Sequence, residues 1–171
     1  MPGPETPEPG PGPPARRAQI VGTGLIGGSI GAALRRRGWV VTGDDVVATR
    51  AERAVELGAA DHAGRDTAAQ LVFVATPAGA VPDVVAAALD RHPGAVVTDV
   101  AGVKGPVVAR IADPRFVGGH PMAGSEQEGV DGSDPEMFEG ATWVLTPEAH
   151  TDPLAFTTVR AAVSSLGANV V

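Results

Sequence analysis

A glycine-rich loop between an apolar run and a helix-like segment constrains the fold of this chain more than any other feature. The loop Gly22-Thr23-Gly24-Leu25-Ile26-Gly27 matches the pattern G-x-G-x-x-G. It follows the strand candidate Ala18–Val21 and opens the helix candidate Ile26–Arg37, and Asp45 ends the next strand candidate 23 residues after the first glycine. This combination, rather than the glycines alone, predicts a dinucleotide-binding fold.

Each glycine of the loop has its own expected role. Gly22 permits the tight turn, Gly24 lets the backbone approach a pyrophosphate, and Gly27 lets the helix pack closely on the strand. The helix N-terminus offers free N–H groups to the phosphates. The predicted cofactor-binding residues are therefore Gly22, Thr23, Gly24, Leu25, Ile26 and Gly27, together with Asp45 and with Thr76 and Pro77, which break a later strand.

Asp45 bears on the choice of cofactor. An aspartate at this position accepts hydrogen bonds from the adenosine ribose hydroxyls and repels a 2′-phosphate, so NAD is predicted rather than NADP. Arg50 lies one helical turn later and keeps NADP open as the alternative.

Short apolar runs alternate with helical segments along the rest of the chain, and the runs are apolar throughout, as in a sheet covered on both faces. The pattern predicts an α/β, Rossmann-type doubly wound, mostly parallel sheet over residues 18–171. Predicted strands are Ala18–Val21, Val40–Gly43, Leu71–Ala75, Ala95–Thr98, Arg115–Val117, Thr142–Leu145 and Ala168–Val171. Predicted helices are Ile26–Arg37, Val47–Leu57, Ala78–Leu89, Pro106–Ile111 and Leu154–Leu166.

Composition excludes several classes of protein. Residues 1–17 hold seven of the 16 prolines and predict a disordered tail without the apolar core of a signal peptide, so the expected location is the cytoplasm. A net charge of −7 argues against nucleic-acid and membrane partners. The sequence has no cysteine, and its four histidines are scattered, so no metal site is predicted.

An overlapping motif offers a hydrolase as an alternative. The segment Gly27-Gly28-Ser29-Ile30-Gly31 matches G-x-S-x-G, and Asp99 and His120 follow in hydrolase order. The motif requires its serine on a sharp turn directly after a strand, whereas Ser29 falls inside a predicted helix. The hydrolase interpretation is therefore disfavoured.

A second motif, Gly118-Gly119-His120-Pro121-Met122-Ala123-Gly124-Ser125-Glu126, follows a strand end, where parallel sheets bind their ligands. Position alone leaves a catalytic and a purely local role for His120 equally open. This motif, with GTGLIGGSIG, VTDVAGVKG and ATWVLTP, resembles the prephenate dehydrogenase family, which acts on prephenate or arogenate in tyrosine biosynthesis. The similarity runs in order from about Ala18 to Val171.

The resemblance implies an NAD(P)-linked oxidative decarboxylation. It assigns His120 to the ring hydroxyl of the substrate, whose proton a neutral imidazole can take as hydride leaves the same carbon. Loss of carbon dioxide then yields the aromatic ring. Ser125 and Glu126 are expected at the mouth of the substrate site, and Lys104, the chain's one lysine, is carried over as a substrate-binding residue.

Two departures from the family pattern keep alternatives open. Gly102 stands where the family commonly has a serine that orients the histidine. The helical domain that forms the family's dimer is expected to be absent from this chain, so a homodimer or a partner chain would complete the site. The alternatives are a catalytically silent dinucleotide-binding module and a Rossmann dehydrogenase of a different small acid.

Overall fold

One eight-stranded sheet forms the centre of the fold in the computed structural model, which describes residues 13–171. The strands are β1 (Arg17–Val21), β2 (Val40–Asp44), β3 (His62–Ala63), β4 (Leu71–Val74), β5 (Val96–Asp99), β6 (Phe116–Met122), β7 (Thr142–Thr146) and β8 (Asn169–Val170). The helices are α1 (Leu25–Arg35), α2 (Ala48–Glu56), α3 (Val81–Arg91), α4 (Gly105–Val108) and α5 (Pro153–Ser165), with 3-10 turns at Ala78–Ala80 and Val130–Gly132.

The strand order, β3-β2-β1-β4-β5-β6-β7-β8, places β1 and β4 side by side. The six strands from β3 to β6 pair in parallel, whereas β7 runs antiparallel to β6. The chain thus winds outward from β1 in one direction and from β4 in the other. This confirms the predicted Rossmann-type doubly wound, mostly parallel sheet, with its topological switch point between β1 and β4.

Apolar side chains cover both faces of the sheet. One cluster packs α1, α2 and α5 against it and includes the aromatic group Phe73, Phe138 and Trp143, with the last two ring centroids 5.1 Å apart. The other cluster packs α3 and α4 on the opposite face. Among residues 13–171, no helix is both long and apolar enough to cross a membrane.

The first residues of the fold differ from the prediction. Arg17 was expected in the disordered tail, but it begins β1, where it pairs with Val40 and its Nε lies 2.8 Å from a carboxylate oxygen of Asp66. Residues 1–12 of that tail lie outside the described part of the chain.

The two-residue strand β3 was not predicted, because it is too short and too exposed to carry an apolar pattern.

Strand β6 is the larger correction. The prediction ended this strand at Val117 and placed His120 in a loop, but the strand continues to Met122. Beyond β5 it pairs with β7, in a register that sets His120 opposite Val144. The antiparallel partner extends the strand past the point where the parallel sheet ends.

An ion pair at the start of β6 predicts a pH-dependent stability. Arg115 donates to both carboxylate oxygens of Asp113, at 3.1 and 2.7 Å, and to the carbonyls of Leu89 and His92 at the end of α3. The hydrogen bond from Arg115 is the main cause that lowers the pKa of Asp113. A carboxyl whose pKa is lowered on folding stabilises the protein above its unfolded-state pKa, and this contribution is lost as the pH falls through the folded-state pKa.

We therefore expect Asp113→Asn to lower the free energy of unfolding at pH 7 by about 0.5–1 kcal/mol. The difference from wild type should begin to shrink as the pH falls below about 4, where the carboxyl of the unfolded chain becomes protonated, and should be lost once the pH is below the lowered pKa of the folded state. Urea unfolding at pH 7 and at lower pH measures both values. Asp90→Asn, at an exposed position of α3, serves as the control, and an equal loss at every pH would contradict the prediction.

Candidate functional site

The glycine loop lies at the switch point, pressed against the end of β4. Gly22 has a φ of +94°, and a Cβ there would lie 2.5 Å from the carbonyl oxygen of Ala75. A Cβ on Gly27 would lie 1.9 Å from the carbonyl oxygen of Gly22. A Cβ on Gly24, in contrast, would meet no atom of residues 13–171 within 4 Å. Two of the glycines are thus required by packing, whereas the third leaves open space at the N-terminus of α1.

A cleft of about 910 Å³ opens beside this loop. Its walls come from the loop, the ends of β2 and β4, and one side of α3, and the predicted residues Gly22, Gly24, Leu25, Ile26, Asp45, Thr76 and Pro77 all line it. The hydroxyl of Thr76 is buried and has no hydrogen-bond partner among the described residues. A buried hydroxyl usually has a partner, so this group is available to a ligand.

Asp45 joins the glycine loop to the end of β2. One carboxylate oxygen accepts hydrogen bonds from the Thr23 amide at 2.9 Å and from the Thr23 hydroxyl at 3.1 Å, and the other accepts from the Val47 amide at 2.9 Å. The guanidinium of Arg50 lies 4.0 Å from the latter oxygen and is largely exposed. Thr23 thus binds Asp45 and does not itself line the cleft, whereas the carboxylate of Asp45 lies in the cleft wall, where the fingerprint predicts an acidic residue.

Four further charged residues line the same cleft and were missed by the sequence analysis: Asp44, Arg65, Asp83 and Arg91. Asp44 is the last residue of β2, and the Nε of Arg65 lies 3.4 Å from its carboxylate. The adjacent pair of aspartates was a signal for Asp44. No local pattern pointed to Arg65, because it reaches the cleft from the turn after β3.

His120 projects from β6, half-buried, toward the loop that follows β5. Its Nδ1 lies 3.5 Å from the carbonyl oxygen of Val100, a residue that also lines the cleft. A Cβ on Gly102 would lie 3.3 Å from His120 Cε1 and 3.5 Å from Nε2. Gly102 thus lies close enough to His120 that a side chain at position 102 would contact the imidazole ring.

Lys104 and Asp99 form an ion pair behind this histidine. The carboxylate of Asp99 is fully buried, and the side chain of Lys104 is only 14% exposed. Burial lowers the pKa of the Lys104 amine, and the charge of Asp99 opposes that change. Asp99 is a further residue that the sequence analysis missed as part of the site; its signal was its place at the end of β5, five residues before the one lysine.

Ser125 and Glu126 lie in an exposed loop after β6. The Ser125 hydroxyl accepts a hydrogen bond from the Gln127 amide at 2.9 Å. The structure thus brings together the glycine loop, Asp45, Thr76 and Pro77 around the cleft, with His120 and Lys104 beside it. Ser125 and Glu126 stand on a separate loop, and their expected contact with substrate stays a prediction.

Ser29, the nucleophile of the hydrolase alternative, is buried inside α1. Its hydroxyl donates to the carbonyl of Leu25 at 2.7 Å and accepts from the amide of Asp134 at 2.9 Å. This position gives it no access to a substrate. Within residues 13–171, no group of three or more His, Asp or Glu side chains is placed to hold a metal ion.

Comparison with known proteins gives one consistent family. A family model described as "Prephenate dehydrogenase, nucleotide-binding domain" matches residues 30–171. A curated relative from Streptomyces niveus, named probable prephenate dehydrogenase NovF, is 35% identical over 161 residues, which cover 90% of this chain and 44% of that protein. The chain therefore spans less than half the length of this relative.

Solved structures agree in fold. Arogenate dehydrogenase of Synechocystis superposes with a TM-score of 0.82 at 36% identity, over 91% of this chain and 58% of that one. Prephenate dehydrogenase of Aquifex aeolicus, in complex with hydroxyphenyl propionate and NAD+, superposes with a TM-score of 0.84 at 30% identity, over 94% of this chain and 60% of that one.

Proposed function

The chain belongs to the prephenate dehydrogenase family, and on that premise we propose that it is the cofactor-binding part of an enzyme that oxidatively decarboxylates prephenate or arogenate with NAD. The observation that carries this proposal is the contact between His120 and Val100. An imidazole therefore lies beside a cleft that has the features of a dinucleotide site.

The residues of the cleft fit a dinucleotide. The open space at Gly24 lets the backbone at the start of α1 approach a pyrophosphate. The carboxylate of Asp45 can accept from ribose hydroxyls, and the unpartnered hydroxyl of Thr76 offers a further hydrogen bond. NAD, when bound, accepts the hydride that leaves the hydroxyl-bearing carbon of the substrate.

His120 would act as the general base for the proton of the substrate's ring hydroxyl. As the ring hydroxyl becomes a carbonyl, an imidazole is suited to accept its proton near neutral pH and to return it to the same oxygen when loss of carbon dioxide turns the carbonyl into a phenol. Strand β6 fixes the backbone on both sides of His120, and Val100 and Gly102 limit where its ring can lie. Aromatisation with loss of carbon dioxide makes the reaction favourable, so the main task of the protein is to position the reacting groups.

We further propose that cationic groups contact the carboxylates of the substrate on the side of Ser125 and Glu126. These groups would belong to residues beyond position 171, to a second copy of the chain or to another chain. The substrate is an anion and the chain carries a net charge of −7. The nearby amine of Lys104 is held by Asp99. Additional cations would therefore be needed to balance the carboxylates of the substrate.

Binding and turnover test this proposal separately. NADH fluorescence titration should show saturable binding, and prephenate or arogenate with NAD should yield NADH and an aromatic product detected by chromatography. The chain is assayed alone and with candidate partner chains. Absence of NADH binding would contradict the whole proposal.

Asp45→Asn tests the choice of cofactor. The amide oxygen keeps an acceptor for Thr23, but the amide nitrogen cannot accept from the Val47 amide, and the charge is removed. NADH affinity should therefore fall about 10-fold, the effect of weakening one charged hydrogen bond. NADPH affinity should fall less or rise, because the repulsion of the 2′-phosphate is removed. Titration of both nucleotides, with Asp90→Asn as control, measures the ratio. An unchanged NADH to NADPH ratio would contradict the role of Asp45.

Gly102 favours a second candidate function, a catalytically silent dinucleotide-binding module. A glycine beside the ring offers His120 no side-chain hydrogen bond at the place where the family commonly has a serine. NADH binding without turnover of prephenate or arogenate, in the chain alone and with each candidate partner, would favour this candidate over the enzyme.

A further inference from the structure

Asp99 lies where β6 stops pairing with β5 and begins to pair with β7. Pairing between β5 and β6 ends with Thr98 opposite Val117, and β6 then pairs with β7 from Gly118 onward. The amide of Gly119 donates to a carboxylate oxygen of Asp99 at 3.1 Å. At Gly119, the residue directly before His120, a hydrogen bond to the Asp99 side chain thus replaces the backbone pairing with β5 that ends at Thr98.

The other oxygen of Asp99 closes the loop that follows β5. It accepts the Ala101 amide at 3.1 Å and pairs with the Lys104 amine. The Lys104 side chain also packs over Gly118, where an added Cβ would lie 3.2 Å from its Cδ. A fully buried carboxylate requires such partners, because an uncompensated buried charge is strongly destabilising.

The loop held in this way forms the surroundings of the His120 ring. Val100 contributes the carbonyl oxygen 3.5 Å from Nδ1, and Gly102 lies against Cε1 and Nε2. Both residues fall between Asp99 and Lys104 in the chain. The ion pair therefore fixes the backbone before His120 through Gly119 and the wall beside its ring through Val100 and Gly102.

We propose that the Asp99–Lys104 ion pair is a positioning device for His120 and that Lys104 acts through Asp99 instead of binding the substrate. The catalytic consequence rests on the proposed function. The positioning itself can be measured in the chain without turnover.

The test uses Lys104→Met, which removes the amine but keeps a long apolar chain, and the double variant Asp99→Asn/Lys104→Met. The double variant leaves no unpaired buried charge, and its one amide oxygen still accepts from either Gly119 or Ala101, so it should fold even where the single variant does not. Arg35→Met is the matched control, because it breaks the part-buried pair with Asp61 beyond the cleft. Imidazole NMR signals of the four histidines are recorded, with His120 assigned from His120→Asn.

In the double variant the His120 signal is expected to move or broaden, while the signals of His62, His92 and His150 stay in place. Arg35→Met should leave the His120 signal unchanged. An unmoved His120 signal in the double variant would overturn the proposal. Movement of all four signals would also overturn it, because the pair would then only stabilise the fold.

Kinetics give a second, independent readout where the wild-type chain, alone or with its partner, turns over prephenate. The kcat of the double variant should fall about 10- to 100-fold, the cost of a misplaced catalytic group, while the KM for prephenate and the NADH affinity stay unchanged. A raised KM with unchanged kcat would show that Lys104 binds the substrate and would overturn the proposal. A wild type that binds NADH without turnover counts against the proposed enzyme, and the NMR result then decides the positioning role alone.

Discussion

His120→Asn is expected to lower the turnover of prephenate by about 100-fold or more, while the affinity for NADH stays at the wild-type level. Asparagine retains a polar side chain at this place in β6 but cannot accept the proton of the substrate hydroxyl. The loss of a positioned acid–base group typically costs a factor of this size. Initial rates of NADH formation and NADH fluorescence titration measure the two quantities.

The unaffected NADH affinity follows from where the histidine lies. His120 contacts the carbonyl of Val100, but it is not itself part of the cleft wall. His150→Asn, at an exposed position outside the cleft, is the matched control and should retain full turnover. Wild-type turnover in His120→Asn would remove the catalytic assignment, and a parallel loss of NADH binding would mean that the histidine supports the cleft instead.

The part of the site that could be predicted from sequence is the part encoded by local backbone requirements. Gly22 adopts a positive φ and Gly27 lies against the carbonyl of Gly22, so each position demands glycine regardless of the rest of the fold. The position of Asp45 follows from the same local unit, because one helix and one strand separate it from the loop. The fingerprint therefore located the cleft, and the apolar strands located the sheet.

Features that depend on distant partners were not predictable in this way. Strand β6 extends through His120 because β7, more than twenty residues later, supplies an antiparallel partner. The two-residue strand β3 exists only as an addition to the edge of β2. The second half of β6 and the strand β3 have no periodic pattern of their own. The prediction from local patterns therefore ended β6 too early and missed β3.

The Asp99–Lys104 pair was missed for a different reason. Charged residue types are normally exposed, and a charge is buried only where the folded chain supplies its partners. Asp99 finds these partners in Gly119, Ala101 and Lys104, one of them from the neighbouring strand. Sequence alone marked Lys104 as unusual, but only the packing of β5 against β6 shows what it contacts.

Two alanine substitutions in the glycine loop should separate binding from folding. Gly27→Ala places a Cβ 1.9 Å from the backbone oxygen of Gly22, in a contact where both sides are backbone. We expect the free energy of unfolding to fall by about 3 kcal/mol or more, the upper range for overpacking in a tightly packed site. Chemical unfolding monitored by circular dichroism measures this loss.

Gly24→Ala should leave stability unchanged but weaken NADH binding. Its φ of −80° suits alanine, and the added Cβ meets no atom of residues 13–171 within 4 Å, so the free energy of unfolding should stay near the wild-type value. The same methyl group occupies the space through which a pyrophosphate would reach the N–H groups at the start of α1. The NADH dissociation constant should therefore rise about 10-fold or more, the cost of losing a hydrogen bond to a charged group.

Gly94→Ala is the control for both variants, because a Cβ there also meets no described atom within 4 Å and the residue does not line the cleft. It should match the wild type in unfolding and in NADH binding. Unimpaired NADH binding by a folded Gly24→Ala variant would show that the nucleotide does not lie against this loop. Because Gly24 is free of packing constraints in the structure, such a result could not be attributed to a compensating change in the fold.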